Sequence, residues 1–335
     1  MRIKFKYDLS SQNTFRMKVS CGCFIEYENV KELEGLVLEN LPKPIMHIGE
    51  GSNLLFTGDF PGTVLHSNIE FIKYVDLGFD EVPVMVGAGV NFDDFVGETC
   101  RHGLWGAENL SLIPGEVGAA AVQNIGAYGA EVKDIISGVV CFDMQTRKSI
   151  KFSVQECGYG YRDSMFKKAE NKGRYIVTSV LFRLTRKYSP RLEYKGVAAA
   201  LEGREQLTPM DVRDAIIRIR SEKLPDPEEI GSAGSFFKNP VISREEFERI
   251  SPDGSAPHFI LPDGSVKIPA AWMIDQCNFR GAETGGAAVY EKQPLVIVNK
   301  SGDASPADVL ALEQKIINGV KDRFGVELHP EVEHI

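Results

Sequence analysis

The sequence predicts an α+β protein of more than one domain, and three observations lead there. The chain has 335 residues, more than one ordinary domain, so two or three domains are expected, with ample length for a core. Its first third is a series of short, β-branched segments separated by glycine turns. Its last third mixes capped helical segments with short apolar strands, the pattern of a separate α+β unit.

The elements follow in chain order. Ile45–Ile48, Gly62–His66 and Pro83–Val86 read as strands. GEGSN at 49–53 and GAG at 87–89 punctuate them. Asn91 caps an amphipathic helix that begins Phe92-Asp93-Asp94-Phe95. A Gly/Ala-rich segment fills 113–130, and strands are expected at Ile136–Asp143 and Tyr175–Leu184. Residues 208–223 form a helix, with Thr208 as N-cap, Pro209 in its first position, and Ile216 and Ile219 on one face. Pro225 and Pro227 stop it, so KLPDP marks a rigid boundary.

Beyond that boundary Phe236-Phe237 is expected to begin a strand. Ser243 with Glu246 makes a capping box, and Asp263-Gly264 turns a hairpin. Ala270–Cys277 is a short helix and Leu295–Asn299 a strand. Ser305-Pro306 opens a last helix that buries Val309, Leu312, Ile316 and Val320 and ends at Gly325. The tail VELHPEVEHI is strand-like and too short to fold alone, so it must dock on an earlier segment.

Composition narrows the function. The net charge is −9 without basic blocks, which argues against nucleic acid or an anionic membrane as partner. MRIKFKYDLS has no signal-peptide core. No stretch of about 18 uninterrupted apolar residues occurs, so no membrane helix is expected. The six cysteines are scattered; Cys21 and Cys23 form only C-x-C, so no metal is expected and free thiols in a reducing cytoplasm are.

The candidate chemistry starts from glycine. Glycine turns let backbone N–H groups approach phosphate oxygens, and in GEGSN the side chains of Ser52 and Asn53 add donors. GAG starts like a dinucleotide fingerprint, but the third glycine would fall at Phe92, so the Rossmann pattern fails. No G-x-x-x-x-G-K-[ST] occurs. IPGEVGAAAVQNIGAYG at 113–129 is small-residue over most of its length, with the amides of Gln123 and Asn124 in its middle. Close helix–strand packing or a bound polar ligand both fit; polar amides inside a small-residue bed favour the ligand.

These motifs together resemble the UDP-N-acetylenolpyruvoylglucosamine reductase family. GEGSNLL, IPGEVGAAAVQNIGAYG, GYGYRDS, KLPDPEEIGSAGSFFKNP and LHPEV stand in family order across the chain. The sequence departs from the family at Ala121, where proline is usual, and at Glu333, where Arg is common. The resemblance implies a two-lobed FAD-binding domain of the PCMH type plus a smaller α+β substrate-binding domain. It implies an N-terminal lobe at 1–68 and a central lobe at 69–224 with FAD between them. A substrate-binding domain at 225–324 follows, and residues 325–335 return to the central lobe.

By the same resemblance the enzyme uses non-covalent FAD and NADPH to reduce the enolpyruvyl group of a UDP-sugar in peptidoglycan precursor synthesis. It is expected to be a cytoplasmic monomer. Arg162 and Glu331 are implied to stabilise the charged intermediate and Ser235 to donate the proton, with the adjacent Lys and Asn assisting. Substrate contacts fall to Tyr161, Lys223, Asn239 and Gln293. Tyr194, in RLEYKG, matches a mobile-loop tyrosine of the family's first subtype. The flavin contacts are Gly49, Glu50, Gly51, Ser52, Asn53, Ser111, Ile113, Pro114, Gly115, Gly118, Ala119, Gln123, Asn124 and Gly126. Two other readings are an oxidase of the same flavin fold and a non-catalytic UDP-sugar-binding protein. The KLPDP–GSAGSFFKNP block argues against the first, and retention of Arg162, Ser235 and Glu331 against the second.

Overall fold

Ile136–Asp143 and Tyr175–Thr185, buried along most of their length, lie at the heart of a five-stranded sheet. Its order is Lys148–Phe152, Ile136–Asp143, Tyr175–Thr185, Glu81–Gly87, Ile72–Tyr74, every pair antiparallel. The computed structural model describes residues 1–75, 78–194, 196–204 and 206–335. Within the described residues the chain forms two compact units.

The first unit comprises Met1–Tyr7, Cys21–Glu50 and Pro61–Glu222. Helix Phe92–Arg101 lays Phe92, Phe95 and Val96 on the central sheet, and the Phe95 ring stacks on Phe182 with centroids 4.5 Å apart. Asn91 caps the helix as expected, its side chain accepting from Asp93 N and Asp94 N. We expect Asn91→Ala to cost about 1–2 kcal/mol, read as a lower urea midpoint with an unchanged slope. A second sheet runs in the order Arg2–Asp8, Ser20–Tyr27, Phe60–Ser67, Ile45–Ile48. Its last pair is parallel, with Met46 opposite Val64. Cys23, Ile25, Tyr27 and Leu65 of this sheet pack with Phe142 and Ile176.

The second unit comprises Asp8–Ser20, Gly51–Phe60 and Lys223–Ile335. Its main sheet has the order Gly231–Ser235, Val296–Asn299, Ala287–Val289, Glu283–Thr284. Helix Pro306–Phe324 packs on it through Val309, Leu312, Ile316 and Val320, all fully buried. Its Ser305–Asp308 capping box and left-handed Gly325 fix both ends. The Ser243–Glu246 box and the hairpin Phe259–Ile260 to Val266–Lys267 form as the sequence predicts. The tail docks as strand Glu333–His334, parallel to Leu54–Leu55.

One expectation fails. Phe236-Phe237 does not begin a strand; it follows one, Gly231–Ser235. Small residues suit that strand because Gly231 lies against the chain, where an added Cβ would stand 2.4 Å from the Phe15 carbonyl oxygen. Phe236 and Phe237 then leave the ladder and enter the core, 0% and 1% exposed. The architecture of mainly antiparallel sheets with helices set apart from them is α+β, as the sequence predicts.

Candidate active site

In the first unit the glycine-rich loops are tied to one another. The carboxylate of Glu50 accepts from Asn91 Nδ2 at 2.9 Å and from Gly115 N at 3.1 Å. Gly115 has φ of 115°, a conformation that side chains resist. Val117 N and Gly118 N donate to Val90 O and Ala88 O, both at 2.9 Å, which joins GAG to the start of helix Val117–Gln123. Gly118 is packed tightly, since an added Cβ would stand 2.9 Å from the Ala88 Cβ. Ala119 faces Gly49, and the Ser111 hydroxyl donates to Glu108 O at 2.6 Å. Ile113 packs on the central core and Pro114 stays exposed. These glycine turns, cross-braced by Glu50, suit the backbone grip that a diphosphate needs.

Asp93 anchors the same loop from below. Its carboxylate takes both arms of Arg213, at 2.6 and 2.8 Å, and a bond from Leu112 N. Burial opposes its charge, but Arg213 and Leu112 outweigh that and hold its pKa below the ordinary carboxylate value.

At the far end of helix Val117–Gln123, Asn124 is left-handed with φ of 46°. Its Nδ2 donates to Gly160 O at 2.7 Å and to Glu131 at 3.2 Å, and its Oδ1 accepts from Lys133 N at 3.2 Å. The Asn124 amide is thus spent on the protein itself. Gln123 Oε1 accepts from Lys167 Nζ at 2.9 Å. Arg162, also at positive φ, donates to Gly126 O at 2.6 Å and to Asn124 O at 3.4 Å, and its guanidinium lies 5.3 Å from the Tyr161 ring centroid. The structure therefore gathers Gln123, Asn124, Gly126, Tyr161 and Arg162, and adds Lys167, which also donates to Arg162 O at 3.1 Å. Lys167 escaped the sequence reading because a lysine just past a motif carries no signal of its own.

Tyr194 is exposed and meets Tyr128 edge to face at 5.2 Å. Asn109 Nδ2 donates to both Tyr128 O and Arg191 O, at 2.8 and 3.0 Å, and Arg191 pairs with Asp134. These bonds fasten the segment just before Tyr194.

In the second unit Ser235 ends its strand, exposed, after Gly234 with φ of 69°. Phe236 O accepts from Glu331 N at 2.8 Å, and Lys238 N donates to His329 O at 2.9 Å. Asn53 completes the join: its Nδ2 donates to Glu331 O at 3.1 Å and its own carbonyl accepts from Glu333 N at 2.9 Å. Ser235, Asn53 and Glu331 so lie on adjoining backbone. Gly51 enters this loop with φ of 67°, and an added Cβ would stand 2.3 Å from the Gln12 carbonyl oxygen. Ser52 follows it in the same loop. Asn239 Oδ1 accepts from Ala270 N at 2.9 Å at the start of helix Ala270–Gln276. Gln293 turns the chain into strand Val296–Asn299, its carbonyl accepting from Val296 N. Lys223 is exposed at the end of helix Pro209–Lys223.

A family model described as an FAD binding domain matches residues 23–146. That makes the chain a flavoprotein by class, with the braced glycine loops around Glu50, Asn91 and Gly115 inside the matched region. A second model, described as the C-terminal domain of UDP-N-acetylenolpyruvoylglucosamine reductase, matches residues 226–335. A UDP-N-acetylenolpyruvoylglucosamine reductase of Bacteroides fragilis is 49% identical over 332 residues, 98% of this chain and 99% of that one. One from Porphyromonas gingivalis is 44% identical, with full coverage of both chains (100% and 100%). The solved structure of the reductase from Thermus caldophilus superposes with a TM-score of 0.70 at 25% identity, covering 100% of this chain and 99% of that chain. The chain belongs to the UDP-N-acetylenolpyruvoylglucosamine reductase family.

Among the described residues no group of three His, Cys, Asp or Glu is arranged to hold a metal ion. No helix among them is long and apolar enough to cross a membrane.

Proposed function

We propose that this chain reduces the enolpyruvyl double bond of UDP-N-acetylglucosamine enolpyruvate to the lactyl ether of UDP-N-acetylmuramate, a step of peptidoglycan precursor synthesis. The observation that carries it is family membership along the whole chain, with 49% identity over 332 residues. FAD, when bound, supplies the hydride, having taken it from NADPH. The FAD-binding role falls to the lobes at 1–68 and 69–224, and the substrate-binding role to 225–324.

The protein's own groups do the rest. Hydride addition at the terminal carbon puts negative charge on the neighbouring carbon and its carboxylate. Arg162, held by the carbonyls of Gly126 and Asn124, offers a planar cation to that charge. Glu331, fixed through its backbone by Phe236 and Asn53, serves as a protonated acid. Ser235 donates the proton to the neighbouring carbon, with Lys238 and Asn239 beside it in sequence. Tyr161, Tyr194, Lys223, Asn239 and Gln293 orient the UDP-sugar, Lys223 as a point charge for its diphosphate. The loops at 49–53 and 111–126 grip the flavin through backbone groups. The working form is a cytoplasmic monomer.

The test is anaerobic. The purified protein is yellow, NADPH bleaches it, and the enolpyruvyl substrate restores the colour. Colour restored only by oxygen would make the protein an oxidase instead. A colourless protein would remove the flavin from the account.

A further inference from the structure

Behind the glycine loops of the first unit lies a file of ionisable side chains that the reaction does not use. His66, on strand Phe60–Ser67, and Glu116, just before helix Val117–Gln123, are 9% and 4% exposed. His66 Nε2 lies 2.7 Å from Glu116 Oε1. On its other side His66 Nδ1 faces Glu26 at 3.8 Å, buried and without a hydrogen-bond partner among the described residues. The second oxygen of Glu116 abuts Gly49, where an added Cβ would stand 3.1 Å from it. The pair is therefore a strut. It joins a strand of the second sheet to both loops that Glu50 ties together from the other side.

The charges around the strut are acidic. Glu26 and Glu50 act on His66, and Glu50 and Glu70 act on Glu116. The other titratable neighbours are His47, which faces His66, and Tyr27, whose hydroxyl lies 2.7 Å from His47 Nε2. Burial pushes the His47 pKa down to about 3, so it brings no charge. Burial raises the pKa of Tyr27, which stays neutral too. Carboxylates alone would repel a diphosphate seated on these loops.

We propose that His66 and Glu116 are positioning residues for the flavin diphosphate, the imidazolium supplying positive charge behind the loops and the Glu116 carboxyl group fixing it against Gly49. This rests on the flavin reading above. The protonation of the pair agrees with the geometry. Burial opposes the charge on His66, yet Glu116, Glu26 and Glu50 outweigh it and raise its pKa. Burial raises Glu116 to about 7 against the pull of His66. Both folded-state values lie above the unfolded ones, so their stabilisation is present at lower pH. It is lost as pH rises through about 7 and beyond.

The experiment follows flavin release from the holoprotein by fluorescence recovery, from about pH 6 to about pH 9. Release from the native protein should quicken about tenfold across that range. Glu116→Gln should move the midpoint about one unit lower, because His66 loses its carboxylate. His66→Gln should move it about one unit higher, because Glu116 loses its cation. Opposite displacements are what a mere packing role does not produce. Profiles that superimpose after scaling overturn the proposal. If neither variant folds, Glu26→Gln keeps the strut and should lower the midpoint; an unshifted profile there overturns it equally. A native protein without flavin at any pH overturns the flavin reading and this proposal together, whereas a yellow protein with superimposable profiles overturns this proposal alone.

Discussion

Ser235→Ala is expected to leave reduction of the flavin by NADPH intact and to slow its reoxidation by the enolpyruvyl substrate about 10²–10⁴-fold, the usual worth of a positioned general acid. The separation follows from the proposed role. Proton transfer to the substrate belongs only to the second half-reaction. Ser235 also suits a clean substitution, because it is exposed at the end of its strand and its backbone, not its hydroxyl, pairs with Val296. Alanine keeps the ladder, so fold and flavin content should be unchanged. Stopped-flow absorbance resolves the two half-reactions. Equal slowing of both would make Ser235 structural and move the proton donor elsewhere.

Arg213→Ala should lower stability by about 2–4 kcal/mol. The lower part of the range for a buried pair applies because the side chains of Arg213 and Asp93 keep 14% and 23% of their exposure. Without the guanidinium, Asp93 is a half-buried anion to which Leu112 N still donates. The pH dependence has a definite sign. Asp93 has a lowered folded-state pKa. Its contribution is present above the unfolded value of about 4 and is lost as pH falls through the folded one. Native protein should therefore lose stability in acid more steeply than Arg213→Ala. Urea unfolding at neutral pH and at pH values falling well below about 4 measures both. Because Leu112 hangs from the same carboxylate, the variant should also hold flavin less well. An unchanged neutral midpoint would mean that water replaces the guanidinium.

The fold was legible where a local signal had one physical cause. Caps at Asn91, Ser243 and Ser305 stand in the structure as they stand in the sequence, because a side chain serving its own helix needs no distant partner. Strands Ile136–Asp143 and Tyr175–Thr185 were readable because strands covered on both faces become near-continuous apolar runs. Strand Gly231–Ser235 was not, since its small residues answer to the approach of Phe15, which is remote in sequence. The N-terminal strand Arg2–Asp8 carries no such signal. Its lysines alternate with Ile3 and Phe5, which stay exposed, so no core announces it.

The candidate site divides along similar lines. Glycine turns and their spacing were visible, but the brace that Glu50 forms with Gly115 and Asn91 joins three separate segments. The amides of Gln123 and Asn124 drew attention as ligand groups, and the structure shows what else they do. One holds Lys167 and the other closes the turn to Gly160. His66 and Glu116 gave no sign at all, because an ion pair between distant residues has no sequence pattern.

The second unit is discontinuous in sequence, and this gives its folding a timetable. Residues 8–20 and 51–60 are made early, but most of their partners lie in 223–335. With synthesis at about 5–20 residues per second, the roughly 200 residues separating 20 from 223 impose a wait of about 10–40 s. During that time Phe15 and Met17, each 0% exposed in the finished molecule, have no core to enter. The first unit can fold meanwhile around a chain that still carries two apolar orphans. Chaperone binding to nascent chains should therefore peak before residue 223 emerges and fall once Gly231–Ser235 is available to receive Thr14 and Phe15.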